Sequence, residues 1–103
     1  MMQESVRSAP CPVDLKQLRV VVAAANHRSL RQAAESLRVK QSTVSRSIRA
    51  VEAGLGVQLF ERSNGGTRMT RAGAAFVDGA RIVIEAADDI VTRARVEGNA
   101  HGG

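Results

Sequence analysis

Between Leu30 and Leu55 two apolar stripes of helical period are separated by a break of only three residues, which restricts the fold more tightly than any other feature. Leu30, Ala33, Ala34 and Leu37 fall at spacings of three, one and three, one face of a helix of about two turns. Arg38, Val39 and Lys40 interrupt the pattern. It resumes with Val44, Ile48, Val51 and Leu55 at spacings of four, three and four, again a single face. Two short amphipathic helices joined this tightly cannot stack end to end. They must cross, which predicts a helix-turn-helix.

The second of these helices turns Ser42, Thr43, Arg46, Arg49 and Ala50 away from its apolar stripe, a mixture of hydroxyl, methyl and guanidinium groups suited to phosphates and base edges. Charge gathers at the same place. Residues 28–49 hold six basic side chains (Arg28, Arg31, Arg38, Lys40, Arg46, Arg49) and one acidic one (Glu35), a local balance of +5 that equals the formal charge of the whole chain. Residues 1–70 carry eleven basic and five acidic groups, whereas residues 71–103 carry four and five. A polyanionic partner is therefore expected for the first two thirds of the chain and not for its tail. Gln41, Ser42 and Thr43 stand at the leading end of the helix, where a recognition helix enters the major groove. Arg46, one turn beyond Ser42, can reach a guanine edge or a phosphate, and Arg49, farther back, is expected at the DNA backbone.

At 103 residues the chain has room for one modest core. Its only aromatics are Phe60 and Phe76, so that core must come from Val, Leu, Ile and Ala. Alanines allow close helix contacts but bury little area each, so stability is expected to be shared with a partner or concentrated around a few large side chains. Cys11 is alone, which excludes an internal disulfide and a thiolate metal cluster. His27 and His101 lack ligand companions in the sequence, so no metal or other cofactor is expected. No apolar run reaches about 18 residues and no secretion signal precedes Pro10, which makes a cytoplasmic location the default and gives no membrane partner.

Residues 1–12 are polar, close on Pro10-Cys11-Pro12, and are expected to form a flexible arm with Arg7 as its one basic side chain. A DNA-binding domain is expected over residues 13–70. Asp14 with Gln17, and Ser29 with Gln32, have the spacing of helix caps and mark two helix starts. From the first, Leu15, Leu18, Val21, Val22 and Ala25 form a stripe. At the second, the free N–H groups of the helix and nearby charge can hold a phosphate. Gly54-Leu55-Gly56-Val57 breaks the third helix, and Val57-Gln58-Leu59-Phe60 is expected to return apolar mass to the core with Phe60 as its plug. Asn64-Gly65-Gly66 signals a hairpin flanked by Arg62 and Arg68, a wing able to touch phosphates or the minor groove.

Thr70 can cap a long helix over residues 71–96, about 39 Å, more than a small domain needs for its own core. Phe76, Ala80, Val83, Ala87, Ile90, Val91 and Ala94 make a stripe along it, best covered by a second copy in an isologous homodimer. The stripe is Ala-rich without strict heptads, which points to close antiparallel or crossed helices. Residues 97–103 are expected to be a disordered tail. The fold class is mainly α: a winged helix-turn-helix, with a three-helix core and a short β-hairpin wing, followed by a long dimerisation helix.

Leu18, the Ala23–Ala25 run, Ser29-Leu30, Ala33-Ala34 with Leu37, Gln41 with Val44-Ser45 and Ile48, Glu52, Leu55-Gly56-Val57, Leu59-Phe60-Glu61-Arg62, Thr70 and Ala72-Gly73 form a distributed signature. Over about Leu15 to Ala94 the chain resembles the N-terminal DNA-binding domain of the LysR-type transcriptional regulators. The resemblance implies a bacterial transcription regulator, dimeric through the long helix, with Ser29, Arg31, Gln41, Ser42, Thr43, Ser45 and Arg46 at or near double-stranded DNA. It also implies that full-length members continue into an effector-binding domain, absent from this chain, and commonly form tetramers. Some positions depart from the pattern. Val21 stands where Phe is usual and Val51 where Leu is usual, and Lys40 replaces a Ser-like cap with a possible phosphate contact. Gly65 occupies the place of a wing arginine, which leaves wing contacts to Arg62 or Arg68.

Two other roles fit the sequence. A protein-interaction module could pair through residues 71–96 with a longer relative and titrate it, and a nucleoid-type binder could cover DNA without reading it. Catalysis has little support, because Glu35, Glu52 and Glu61 are dispersed and no phosphate-cradling glycine loop ends in Lys-Ser/Thr.

Overall fold

Helix α1 (Leu15–Asn26) starts where the sequence supplies a partner for its first free N–H groups. Asp14 Oδ1 accepts from Gln17 N at 2.8 Å, and Gln17 Oε1 accepts in return from Asp14 N at 2.9 Å. The computed structural model describes residues 11–63 and 65–102. Helix α2 (Leu30–Leu37) follows a short turn and is capped by Ser29, whose Oγ accepts from Gln32 N at 3.2 Å. Its return bond differs from a strict capping box. Gln32 Oε1 accepts from Arg28 N, one residue before the cap, at 3.1 Å.

Arg38 closes α2 in the left-handed region, with φ 59° and ψ 44°, and lets the chain reverse into α3 (Gln41–Leu55) through Val39 and Lys40. The predicted break and both predicted stripes are thereby in place. Leu30, Ala33 and Ala34 of α2 and Val44, Ile48 and Val51 of α3 are buried, against Val20, Val21 and Ala24 of α1. Gly56 ends α3 with φ 75°, its N–H donating to Glu52 O at 2.8 Å.

Strands β1 (Phe60–Ser63) and β2 (Gly66–Met69) form an antiparallel hairpin in the register Phe60↔Met69, Glu61↔Arg68, Arg62↔Thr67, Ser63↔Gly66. Phe60 is buried as expected, but Leu59 is the more enclosed residue and Val57 lies exposed. The short connection to the hairpin turns only its last two apolar residues inward. Gly66 adopts φ 121° directly on the Arg28 carbonyl oxygen, which a β-carbon there would strike. That approach lets Thr67 N donate to Arg28 O at 3.2 Å and seats the hairpin on the α1–α2 turn.

Helix α4 (Arg71–Gly102) begins at Thr70, whose Oγ1 accepts from Gly73 N at 2.9 Å and donates to Gln58 O at 2.7 Å. Gly73 lies against the Leu59 backbone, so the helix can bring Val77 into the core beside the three helices expected there. The helix does not stop near Val96. It runs to Gly102, so the expected tail is helical up to that residue, for no proline follows Pro12 and a single internal Gly98 costs only about 1 kcal/mol. At 32 residues it is about 48 Å long, and residues 88–100 are all exposed. Two polar contacts hold its middle to α1: Arg81 Nη2 donates to Asn26 Oδ1 at 2.6 Å, and Arg19 Nη2 donates to Asp88 Oδ1 at 2.7 Å. Of the expected arm, residues 1–10 lie outside the described residues, and Pro12 rests on Gly54 of α3.

Candidate nucleic-acid interface

The face of α3 opposite its buried stripe carries Gln41, Ser42, Arg46 and Arg49, all exposed, with Thr43 half-buried beside them. Helical period alone produces this separation, because Val44, Ile48 and Val51 take the inward positions. Lys40 at the N-cap makes no side-chain cap; its carbonyl accepts from Thr43 N at 3.0 Å, and no side chain covers the leading turn. A helix start with free N–H groups and nearby cations favours an anion.

A surface cleft joins the start of α2, the start of α3 and the wing, lined by Ser29, Arg31, Gln41, Arg62, Ser63 and Thr67 among others. All six of these residues carry side-chain donors, so the cleft is a place where several elements can meet one backbone. A second cleft lies between α3 and the wing, with Ser45, Arg49, Glu52, Gln58 and Arg62 along it. Arg62 is common to both.

Ser45 and Arg62 are placed differently from the other candidates. Ser45 is only 8% exposed and points to the wing side of α3, where its Oγ accepts from Arg62 Nη2 at 2.9 Å. Arg68 stands across from Glu61, whereas Arg62 stands across from Thr67. Cross-strand partners share a face and neighbours along a strand alternate, so the two wing arginines lie on opposite faces of the hairpin.

Glu52, a signature residue to which the sequence assigns no contact, holds the wing. Its Oε2 accepts from Leu59 N at 2.7 Å and from Phe60 N at 3.2 Å. An acid in the last turns of a helix, shortly before a strand, is the signal that could have found it.

Along α4 the expected stripe divides. Ala80 is buried in its own domain and Phe76 packs partly against the same core, so Ala80 has almost no surface left for a partner. Val83, Ile90 and Val91 remain exposed, and Ile82, which the spacing argument omitted, is 70% exposed. The core takes one side of the helix and shifts the free apolar band around to Ile82. Among the described residues no group of three His, Cys, Asp or Glu is placed to hold a metal ion. No described helix is long and apolar enough to cross a membrane.

Three packed helices, a hairpin seated on the turn before the helix-turn-helix, and a projecting helix define a winged helix-turn-helix domain of the DNA-binding class. Residues 15–74 match the family described as bacterial regulatory helix-turn-helix protein, lysR family, and the chain belongs to that family. It is 45% identical over 83 residues to the HTH-type transcriptional regulator TfdS of Cupriavidus pinatubonensis, an overlap of 81% of this chain and 28% of that one. The chain thus spans little more than a quarter of this relative. Its fold is similar to that in the crystal structure of the CbnR_DBD–DNA complex, with a TM-score of 0.78 and 37% identity over 84% of this chain and 99% of the other. For a BenM_DBD complex with catB site 1 DNA the TM-score is 0.81 and the identity 30%, over 84% and 97%.

Proposed function

We propose that the chain binds double-stranded DNA sequence-specifically as a homodimer and serves transcriptional regulation in the bacterial cytoplasm. The observation that carries this reading is the uncapped, exposed leading turn of α3, set on a helix whose opposite face is locked in the core. Gln41, Ser42, Thr43 and Arg46 read base edges from that turn. Ser29, Arg31, Lys40, Arg49 and Arg68 meet phosphates and set the register.

The dimer forms through the exposed apolar band of α4, from Ile82 and Val83 to Ile90, Val91 and Ala94. Similarity to domains solved on DNA supports the same reading. A full-length regulator built on this domain is proposed to associate further into tetramers.

Selection from a random duplex pool, followed by titration of the enriched site at increasing salt, tests the proposal. One enriched motif is expected, with affinity falling about a thousandfold between 50 and 200 mM salt if six or more phosphates are neutralised. No enrichment together with salt-independent binding contradicts it.

A further inference from the structure

Among the described residues the buried set is apolar except for Ser45. Alanine would serve the helix better there, and a helical serine normally returns its hydroxyl to a carbonyl of its own preceding turn. Ser45 instead accepts from an arginine 17 residues away, on the wing. The strand that carries Arg62 is fixed at a second point. Its partner Thr67 donates to Arg28 O at 3.2 Å, beside a glycine that leaves no room for a side chain. The hairpin is therefore tied to the α1–α2 turn through one residue of the Arg62↔Thr67 pair and to α3 through the other. Phe60, two residues before Arg62 and on the same face, is buried in the core, so Arg62 lies on the face of the wing turned to α3, although the residue itself stays exposed.

We propose that Arg62 is a positioning residue, a strut that fixes the wing against the recognition helix through Ser45, and that the outward Arg68 makes the phosphate contact a wing arginine would otherwise supply. A guanidinium can span this gap because it offers several N–H donors in a rigid plane. With the strut in place, α3 and the wing present their contacts at one fixed separation. Without it the wing keeps its base, where Glu52 accepts from Leu59 N and Phe60 N, and its bond from Thr67 N to Arg28 O, but loses its side-chain tie to the middle of α3, and discrimination falls while the number of neutralised phosphates stays the same.

This inference rests on duplex recognition by the domain, so its test includes one measurement made without DNA. Ser45→Ala, Arg62→Gln and the double variant are compared with the parent chain in thermal unfolding and in titration of a selected site and a random duplex. The double variant is expected to lose less thermal midpoint than the two single losses summed, because both remove one interaction. Each single variant is expected to lower the ratio of selected-site to random affinity about fivefold, the low end of what one mismatched base pair costs. The salt slope is expected to hold within half a unit in Arg62→Gln. Additive thermal losses overturn the strut whether or not DNA binds. A slope reduced by about one unit in Arg62→Gln, with Ser45→Ala behaving as parent, makes Arg62 a phosphate contact and also overturns it. Failure of the parent chain to prefer any duplex counts against the functional reading, and the unfolding comparison still decides the strut.

Discussion

Arg46 is exposed one helical turn beyond Ser42, close enough to the leading end of α3 to enter a groove with it. Arg46→Ala is expected to reduce the preference for a selected site by about 1–3 kcal/mol, while affinity for random duplex falls far less. Competition titrations with the two duplexes check this. A second expectation concerns Phe60, buried at the base of the wing among Leu59, Val51 and Val77. Phe60→Ala should lower unfolding free energy by about 3–5 kcal/mol in urea, and a loss below about 1 kcal/mol would show that its ring is dispensable. At this scale the sequence was readable wherever one residue type has one job. Asp14, Ser29 and Thr70 each cap the helix their spacing assigned them. Ser45 was less readable, because its hydroxyl answers a side chain from another element, which no local pattern encodes.

The wing shows how one element is held by others. Glu52, on α3, accepts the N–H groups of Leu59 and Phe60, and Gly66 rests on the Arg28 carbonyl. Glu52→Ala is expected to cost about 2 kcal/mol, since it strips a carboxylate from two partly buried N–H donors. Arg19→Ala should cost at most about 1 kcal/mol, because its bond to Asp88 is well exposed at both ends. Urea unfolding of both variants tests this order, and an Arg19→Ala loss exceeding that of Glu52→Ala would reverse it. The helix-turn-helix and the hairpin were legible from period and turn residues. The end of α4 was not: Gly98 and Asn99 read as an ending, yet no proline is present to break the helix. Val57 was misplaced for a related reason, since a short apolar run does not reveal which of its members turn inward.

In the whole molecule, α4 extends well past the domain it begins in, and its exposed apolar residues need cover. Ile90 is 62% exposed in the single chain. Ile90→Asp is expected to leave the helical domain folded but to shift the dimer to monomer in sedimentation equilibrium, and to weaken duplex binding by removing the second recognition helix. An unchanged dimer would place the seam elsewhere. The long helix itself was legible from its apolar stripe and the Thr70 cap. Which face was free was not, because the core's claim on Ala80 and Val77 depends on how α1 packs across it. In the proposed dimer, two copies present the leading turns of α3 to successive major grooves. Replacing purines one at a time by 7-deazapurines in a selected duplex removes the major-groove N7 acceptor and little else. Affinity is expected to fall at two clusters about 34 Å apart, one helical turn. Equal affinity at every substituted position would contradict the account.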